Sequence, residues 1–215
     1  MIIIGANGFA KEVLEILYQL GSLEKVVFFD DVSHDLSQKM YDRFEILKNT
    51  KQVKNYFENV SPEFTIGIGN PNLRRRMHDT FIKLGGSLVS TISPKAVIGH
   101  FGNEIGIGCN IITGAVIDNS VTIGKGCLIN TNSIIGHDVN VGCFVEICPG
   151  VVVSGYCEIG DYSFIGSNAT ILPNIKIGSN VVVAAGSVVK YDVPDNCMIA
   201  GMPAIIKKKL PKLEF

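Results

Sequence analysis

An aliphatic residue stands at every sixth position from Ile105 to Val189. All fifteen of these positions hold Ile or Val, and no insertion interrupts the series. A strand repeats its side-chain direction every second residue and a helix about every 3.6 residues, so neither element alone accounts for a period of six. Glycine often stands directly after the aliphatic residue, and a small or β-branched residue recurs four positions after it. The pattern predicts a parallel β-helix, in which three hexapeptides make one triangular coil with the aliphatic side chains inside.

The first 88 residues lack this repeat and are predicted to form a small α/β domain. A short apolar strand at residues 1–4 runs into a glycine turn and an amphipathic helix, and a second strand ends in Asp30 and Asp31. This order is typical of a nucleotide-binding βαβ unit. Gly5 and Gly8 permit a close backbone approach, and the helix start can receive a phosphate. The nucleotide-binding glycine fingerprint is truncated here, so the two glycines could instead form an ordinary turn. The two aspartates could likewise be a solvated strand end.

Further along the chain, three arginines follow a third strand and a turn at residues 69–71. Arg74, Arg75 and Arg76 stand at a helix start, where we expect them to be solvated. Residues 87–94 are predicted to link the α/β domain, residues 1–88, to the β-helix domain, residues 89–204. The first coil is expected to be irregular, with an insertion near residues 101–103, because terminal repeats cap a stack. A solvated basic tail, residues 205–215, is predicted to end the chain.

Composition and charge narrow the partners and the compartment. The formal net charge is −1, so bulk electrostatics favours neither nucleic acid nor an anionic membrane. No apolar run approaches the ~20 residues of a membrane-spanning helix, and no signal peptide is recognisable, so we expect a cytoplasmic protein without membrane insertion. Cys109, Cys127 and Cys157 share one repeat position and are predicted to be small buried residues. The six cysteines form no C-x-x-C pair, and we expect no metal.

His137 is the candidate general base. It follows inward-facing Ile135 by two residues, so it is predicted to lie near a corner of the coil and to point outward, beside Asp138. A neighbouring carboxylate can hold an imidazole in one tautomer and make it a better base near neutral pH. A surface histidine at a turn is the alternative from these residues alone. The remaining histidines lack such neighbours and are assigned no role: His34, His78 and His100.

Several short motifs together resemble one enzyme family. They are Gly5-Ala-Asn-Gly8, Phe29-Asp-Asp31, Ile68-Gly-Asn70 with Arg74, Gly136-His-Asp138, Pro149-Gly150 and Gly201-Met-Pro203-Ala204. In these motifs the chain resembles, over nearly its whole length, the sialic acid O-acetyltransferase and bacillosamine-pathway sugar N-acetyltransferase family of hexapeptide acyltransferases. The resemblance implies a Rossmann-like nucleotide-sugar-binding domain followed by a left-handed parallel β-helix. It also implies a homotrimer that binds acetyl-CoA between neighbouring β-helices.

The same resemblance implies roles for individual residues. His137 corresponds to the family's general base and Asp138 to its acidic neighbour, while the backbone N–H of Gly155 is expected to face the thioester oxygen. Acetyl-CoA is also expected to contact Gly166, Ser167, Ala185 and Gly186. The nucleotide-linked amino sugar is expected to contact Gly5, Asn7, Gly8, Phe9, Asp30, Asp31, Asn70, Asn130 and Glu146.

Two positions depart from the family's pattern. Phe9 stands where many members carry a histidine in the glycine turn, and Glu146 replaces a histidine usually found nine residues after the base. Both positions lie near the family's ligand sites, so details of the substrate and the acyl donor stay open.

The reaction that the resemblance implies is direct transfer. His137 would remove a proton as a sugar amine attacks the acetyl carbonyl of acetyl-CoA, and the Gly155 N–H would stabilise the oxyanion. The motifs do not separate an amine from a hydroxyl, so O-acetylation of sialic acid or another sugar is the first alternative. In a covalent route Cys148 would be the nucleophile, but no base stands beside Cys148 in the sequence.

Two alternatives from other classes are weaker. A zinc carbonic anhydrase on a similar β-helix needs three histidine ligands, and the predicted β-helix holds only His100 and His137. A non-catalytic scaffold needs neither the glycine turn nor the Gly-His-Asp motif.

Overall fold

The computed structural model describes residues 1–33 and 38–214. His34, to which the sequence assigns no role, lies outside the described residues. The first part of the chain is a sheet with three helices. Its elements are β1 Ile2–Ile4, α1 Gly8–Gln19, β2 Val27–Phe29, β3 Lys39–Met40, β4 Phe44–Leu47, α2 Thr50–Asn59, β5 Glu63–Ile66, α3 Pro71–Lys83 and β6 Ser87–Leu88.

The strands of this sheet lie in the order β3-β4-β2-β1-β5-β6, and all neighbours except β3 and β4 are parallel. The three isoleucines of β1 are buried, as expected of a central parallel strand that is covered on both faces. The predicted apolar face of α1 is buried at Val13, Leu14, Ile16 and Leu17, whereas Leu20, just after the helix, is 46% exposed. Because β1 lies between β2 and β5, the turns after these three strands meet at one edge of the sheet, where such folds bind ligands.

The rest of the chain winds into a parallel β-helix of two-residue strands. Each strand pairs in parallel with a strand of the next coil. The strands are β7 Thr91–Ile92, β8 Val97–Ile98, β9 Glu104–Ile105, β10 Asn110–Ile111, β11 Val116–Ile117, β12 Thr122–Ile123, β13 Leu128–Ile129, β14 Ile134–Ile135, β15 Asn140–Val141, β16 Glu146–Ile147, β17 Val152–Val153, β18 Glu158–Ile159, β19 Phe164–Ile165, β20 Thr170–Ile171, β21 Lys176–Ile177, β22 Val182–Val183 and β23 Val188–Val189.

The strands form three faces of a prism. Face one holds β7, β10, β13, β16, β19 and β22; face two holds β8, β11, β14, β17, β20 and β23; face three holds β9, β12, β15, β18 and β21. Val141 lies over Ile123, eighteen residues earlier in the chain, so the predicted coil length is confirmed. The inward residues make one continuous core, in which Cys109, Cys127 and Cys157 are fully buried as predicted. All six cysteines are free thiols.

The residue before each inward aliphatic residue points outward and gives each face its character. Face three is polar, and Lys176 Nζ lies 2.8 Å from Glu158 Oε1 on it. Face two is apolar: its outward residues are Val97, Val116, Ile134, Val152, Thr170 and Val188. All six are at least partly exposed, with 62% of Val97 and 40% of Ile134 accessible. Face two is therefore an apolar sheet surface of a kind that usually marks an interface.

The first domain lies on face one and on the corner where the chain passes from face three to face one. At this corner His78 packs against Phe144 with ring centroids 5.5 Å apart, and Arg75 donates a hydrogen bond of 3.0 Å to the Tyr162 hydroxyl. Phe9 and Ile16 pack against Leu128 on face one and against Ile112 at the start of the corner between faces one and two. The opposite corner, between faces two and three, is therefore on the far side of the prism from these contacts.

Arg74 differs from the expectation that it is solvated. It is fully buried, and the five N–H donors of a guanidinium meet five acceptors here: the carbonyl oxygens of Ile66, Ile68, Gly126 and Cys127, and Asn110 Oδ1. Burial lowers the pKa of Arg74 to about 10, so the guanidinium stays charged at neutral pH. The residue joins β5 to face one, a neighbour that the pattern of a single helix does not reveal. Arg75 is also held, because its Nε lies 2.7 Å from Asp79 Oδ2, whereas Arg76 is exposed as expected.

The two ends of the β-helix also differ from a simple repeat. β6 and β7 lie within residues 87–94, so this segment is structured and is not a free linker. The predicted insertion is present: Ile98 pairs with Ile117, nineteen residues later, one more than in the regular coils. After the last coil, β24 Cys197–Gly201 pairs antiparallel with β25 Ala204–Lys209. The basic segment expected to be a tail thus begins as a strand, with exposed lysines.

Candidate active site

A cavity of about 350 Å³ opens at the sheet edge where β1, β2 and β5 end. It is lined by residues 4–9, 29–33 and 67–69, together with Leu73 and Met77 of α3. The start of α1 borders the cavity, and the partial positive charge of a helix N-terminus favours an anion there. Six predicted substrate-binding residues meet in this cavity: Gly5, Asn7, Gly8, Phe9, Asp30 and Asp31.

The glycine turn is shaped for close approach. Gly5 has a φ of 97°, and a Cβ atom there would lie 2.9 Å from the carbonyl oxygen of Gly67, so only glycine fits. A Cβ atom on Gly8, by contrast, would meet nothing within 4 Å. The side chain of Asn7 makes no capping hydrogen bond to α1 and donates instead to Ser33 Oγ at 3.0 Å. The first turn of α1 thus keeps uncapped N–H groups beside open space, which suits a phosphate.

The two aspartates after β2 have different surroundings. Asp30 Oδ1 accepts hydrogen bonds from the backbone N–H groups of Val32 and Ser33, and its Oδ2 accepts one from Ser33 Oγ. Burial raises the pKa of Asp30, but these hydrogen bonds and the charge of Lys48 outweigh burial and leave the pKa below its ordinary value. Asp30 therefore shapes the loop, while Asp31 is exposed at the cavity.

Two predicted substrate-binding residues are used in turns. Asn70 caps α3, with Oδ1 accepting a hydrogen bond of 3.0 Å from the N–H of Leu73. Asn130 lies at the corner between faces one and two, and its Oδ1 accepts a hydrogen bond of 2.8 Å from the N–H of Thr131. Neither residue lines the cavity: Asn70 lies just beyond Gly69, and Asn130 lies at a corner of the β-helix.

Glu146 is buried where face one meets the cavity. Its Oε1 would lie 2.8 Å from a Cβ atom on Gly69, a residue that lines the cavity. Burial raises the pKa of the Glu146 carboxyl more strongly than the charge of Arg74 lowers it. Burial and the nearby Glu146 also raise the pKa of the Cys148 thiol to about 12. A thiol protonated at neutral pH is a poor nucleophile, which argues against the covalent route through Cys148.

His137 lies on the corner between faces two and three, exposed as predicted. Its Nδ1 lies 2.8 Å from Asp138 Oδ2, and 55% of its side chain is accessible. An ionised carboxylate only accepts hydrogen bonds, so Nδ1 carries the proton and Nε2 keeps the lone pair that a general base needs.

Gly155 lies against the imidazole of His137, one coil further on. A Cβ atom there would come within 2.6 Å of Cε1 and 2.8 Å of Nε2, so the ring occupies the place of a side chain. Within the part of the chain that the structure describes, no group accepts a hydrogen bond from the Gly155 N–H. A base with a free nitrogen and an unused backbone donor therefore lie side by side.

The remaining residues expected to bind acetyl-CoA lie elsewhere on the prism. Gly166, Ser167, Ala185 and Gly186 occupy the corner between faces one and two, after β19 and β22. Face two separates this corner from Gly155. One chain thus places the residues expected to bind acetyl-CoA on both edges of its apolar face.

Comparison with known proteins identifies the family. The family model described as PglD N-terminal domain matches residues 1–81, and that described as bacterial transferase hexapeptide (six repeats) matches residues 156–190. The chain is 30% identical over 204 residues to GDP-perosamine N-acetyltransferase of Escherichia coli O157:H7, and the match covers 93% of this chain and 81% of that protein. This chain belongs to the hexapeptide-repeat sugar N-acetyltransferases.

Solved structures agree over the whole chain. An asparagine-for-histidine mutant of perosamine N-acetyltransferase from Caulobacter crescentus, in complex with CoA and GDP-perosamine, is 29% identical with a TM-score of 0.89, covering 97% of this chain and 96% of that one. The acetyltransferase domain of PglB from Neisseria gonorrhoeae is 32% identical with a TM-score of 0.85, covering 95% and 98%. The predicted fold class is confirmed: an α/β nucleotide-binding-like domain followed by a left-handed parallel β-helix. As a member of this N-acetyltransferase family, the chain is an enzyme that uses acetyl-CoA.

Two further features bear on the alternatives. Among the described residues, no group of three or more His, Cys, Asp or Glu side chains is placed to hold a metal ion. Over the same residues, none of the helices has the length and apolar character needed to span a bilayer.

The sequence reasoning missed one residue beside the base. Tyr156 packs edge-to-face on His137, with ring centroids 5.1 Å apart and an interplanar angle of 86°. The signal was present, since Tyr156 lies eighteen residues after Asp138 and so directly over it in the next coil. In a hexapeptide-repeat N-acetyltransferase, the residue eighteen positions after a site residue is therefore its neighbour in the next coil.

Proposed function

We propose that this enzyme transfers the acetyl group of acetyl-CoA to the amine of a nucleotide-linked amino sugar, with His137 as general base. The observation that carries the proposal is the arrangement at the corner between faces two and three. There an imidazole oriented by Asp138 lies against an unused backbone donor. GDP-perosamine, the ligand named for the solved relative, is a sugar of this chemical class.

The chemistry follows from these groups. Nε2 of His137 takes a proton from the amine as the amine nitrogen bonds to the acetyl carbon. As the carbon–sulfur bond breaks, the imidazolium gives this proton to the sulfur, so CoA leaves as the thiol and His137 returns to its neutral form. The Asp138 carboxylate stabilises the imidazolium that forms. The Gly155 N–H is placed to donate to the carbonyl oxygen as it gains negative charge, an effect of about 3 kcal/mol for comparable donors.

The cavity is proposed to bind the nucleotide part of the sugar. Its uncapped helix start suits the diphosphate, and the exposed Asp31 is available to the base or ribose. Asp30 contributes by holding the loop after β2, and Phe9 by forming the apolar side of the cavity. Residues 1–88 would then deliver the amine and residues 89–204 the acetyl group.

The positions of the cavity and the base favour a site between two copies of the chain. The first domain contacts face one, whereas His137 lies at the corner that face one does not touch. A sugar bound in the cavity is thus on the wrong side of the prism for its own His137. We infer that the amine reaches His137 of a neighbouring copy.

Face two supplies the surface for that assembly. Its outward row is apolar from Val97 to Val188 except for Thr170, whereas face three is polar. A heterologous contact that closes into a ring buries such a face in every copy, and a homotrimer fits the triangular prism. Packing against face two would also bring the acetyl-CoA residues on its two edges next to a neighbouring chain. We propose the cytoplasm as the compartment, because acetyl-CoA is available there and the free cysteines suit a reducing environment.

Replacing the base tests this proposal. His137→Asn keeps a polar side chain but removes a base that works near neutral pH, so kcat should fall by about 10²- to 10⁴-fold. Binding of acetyl-CoA, measured by calorimetry, should survive. The matched control is His100→Asn, the same change at an exposed histidine of the first coil, which should leave kcat unchanged. Near-wild-type kcat for His137→Asn with GDP- and UDP-linked amino sugars would show that His137 is only a turn residue.

A further inference from the structure

Three aromatic residues of the β-helix occupy corner positions with a left-handed backbone. Phe144, Tyr156 and Tyr162 have φ values of 52°, 61° and 59°. This conformation is unfavourable for bulky side chains and is usually taken by Gly, Asn or Asp. An aromatic residue in such a place therefore calls for a compensating contact.

Two of the three residues have an evident structural contact. Phe144 is fully buried beneath the first domain and stacks on Tyr162, with ring centroids 6.0 Å apart and an interplanar angle of 7°. Tyr162 in turn accepts a hydrogen bond from Arg75. Both residues join the first domain to the β-helix.

Tyr156 lies on the opposite corner, away from that junction. Tyr156 is 58% exposed, so burial of its ring contributes little free energy to offset the unfavourable backbone conformation. Its ring meets the imidazole of His137 edge-to-face at 5.1 Å, and its backbone N–H donates to the carbonyl oxygen of His137 at 3.1 Å. The contact that Tyr156 makes is thus with the proposed general base.

The other contacts of His137 leave one motion of the imidazole unrestrained, a rotation about its hydrogen bond to Asp138. Asp138 holds Nδ1 from the side, and Gly155 gives room for Cε1 and Nε2. A single hydrogen bond still allows the half-exposed imidazole to swing about it. The Tyr156 ring is a further contact of this imidazole, on a side different from the hydrogen bond to Asp138.

We infer that Tyr156 is a positioning residue for the imidazole of His137. It acts through the face or edge of its ring and not through its hydroxyl. The inference rests on the proposed role of His137 as general base. An aromatic pair of this geometry is worth about 0.5–1.5 kcal/mol, or roughly 2- to 12-fold in rate.

Asparagine offers a test that spares the backbone. Asn174 occupies the same corner position one coil later with a φ of 62°, so Tyr156→Asn should fold normally. We expect Tyr156→Asn to lower kcat by roughly 2- to 12-fold with little change in KM for acetyl-CoA or sugar nucleotide. Tyr156→Phe should keep wild-type kcat. The matched control Tyr162→Asn should lower the melting temperature without this selective loss of kcat.

A spectroscopic readout and a double mutant complete the test. In ¹³Cε1-histidine NMR spectra, the His137 signal, assigned by its loss in His137→Asn, should move in Tyr156→Asn and stay in Tyr156→Phe. In the His137→Asn background, Tyr156→Asn should have no further effect on kcat. Unchanged kcat in Tyr156→Asn, or an equal loss in Tyr156→Phe, would overturn the inference while leaving the role of His137 intact. Failure of that role would appear instead as an active His137→Asn enzyme.

Discussion

At the residue scale, the base was predictable and its surroundings were only partly so. The six-residue register places Ile135 inward, which puts His137 at an outward corner beside Asp138, and the structure agrees. That Gly155 makes room for the imidazole depends on the next coil, and no local pattern around His137 contains it. The role assigned to each of these residues in catalysis stays a prediction.

Arg74 and Glu146 show where sequence reasoning runs out at this scale. A run of three arginines at a helix start usually faces water, yet Arg74 meets five acceptors from two domains. Most of the acceptors of Arg74 are backbone carbonyl oxygens, which every residue has, so the sequence does not show which of them bind the guanidinium. Glu146 points outward from face one and is buried, with Gly69 of the first domain close to its carboxyl.

Glu146 gives a prediction about stability. Its carboxyl has a raised pKa because burial outweighs the attraction of Arg74, whose N–H groups are bound elsewhere. The folded chain thus holds this proton more tightly than the unfolded chain, and stability falls as pH rises from the ordinary glutamate range toward neutrality. Glu146→Gln should therefore raise the free energy of unfolding at pH 7 by about 1 kcal/mol, the order of the cost of burying a polar group.

Urea denaturation measured at pH 4 and at pH 7 checks this sign. The gain from Glu146→Gln should be present at pH 7 and shrink toward pH 4. The surface change Glu158→Gln, on face three, is the control and should show no such pH-dependent gain. A loss of stability at pH 7 for Glu146→Gln would mean that the attraction between Glu146 and Arg74 outweighs the cost of burying the carboxylate.

At the scale of elements, the two domains differ in how well the sequence predicts them. The hexapeptide strands follow from a repeat of Ile and Val, because every coil buries the same position. β3, β4, β6 and α2 have no such repetition. The three strands are fixed by their neighbours in the sheet, since β4 pairs with β2, β3 with β4 and β6 with β5. Strand β25 was expected to be a tail, because lysines in an exposed edge strand look like lysines in a solvated segment.

The start of α1 gives a prediction at this scale. A Cβ atom on Gly8 meets nothing within 4 Å, so Gly8→Glu should fold, and its carboxylate would lie near the positive end of the helix. It would compete with the diphosphate, so KM for the sugar nucleotide should rise at least about tenfold while acetyl-CoA binding stays unchanged. Gly8→Gln has the same shape without the charge and should raise KM less. An equal rise in KM for Gly8→Gln and Gly8→Glu would show that the size of the side chain, and not repulsion of the phosphate charge, weakens binding of the sugar nucleotide.

At the scale of the whole molecule, one chain separates the groups that must meet. The cavity lies beside face one, and His137 lies at the corner between faces two and three. The residues expected to bind acetyl-CoA flank the apolar face two. The sequence predicts both halves of the site and a homotrimer by resemblance, while the separation of the halves on one prism is visible only in three dimensions.

Subunit mixing tests this arrangement most directly. Purified His137→Asn enzyme has an intact cavity, and Gly8→Glu enzyme has an intact base, so each alone should be nearly inactive at low sugar-nucleotide concentration. After exchange of subunits at equal amounts, verified by native mass spectrometry, random assembly of a cyclic trimer should pair an intact cavity with a neighbour's intact His137 at about a quarter of the interfaces. Activity should then return to about a quarter of the wild-type value. Exchange without any recovery of activity would contradict a site shared between neighbouring chains.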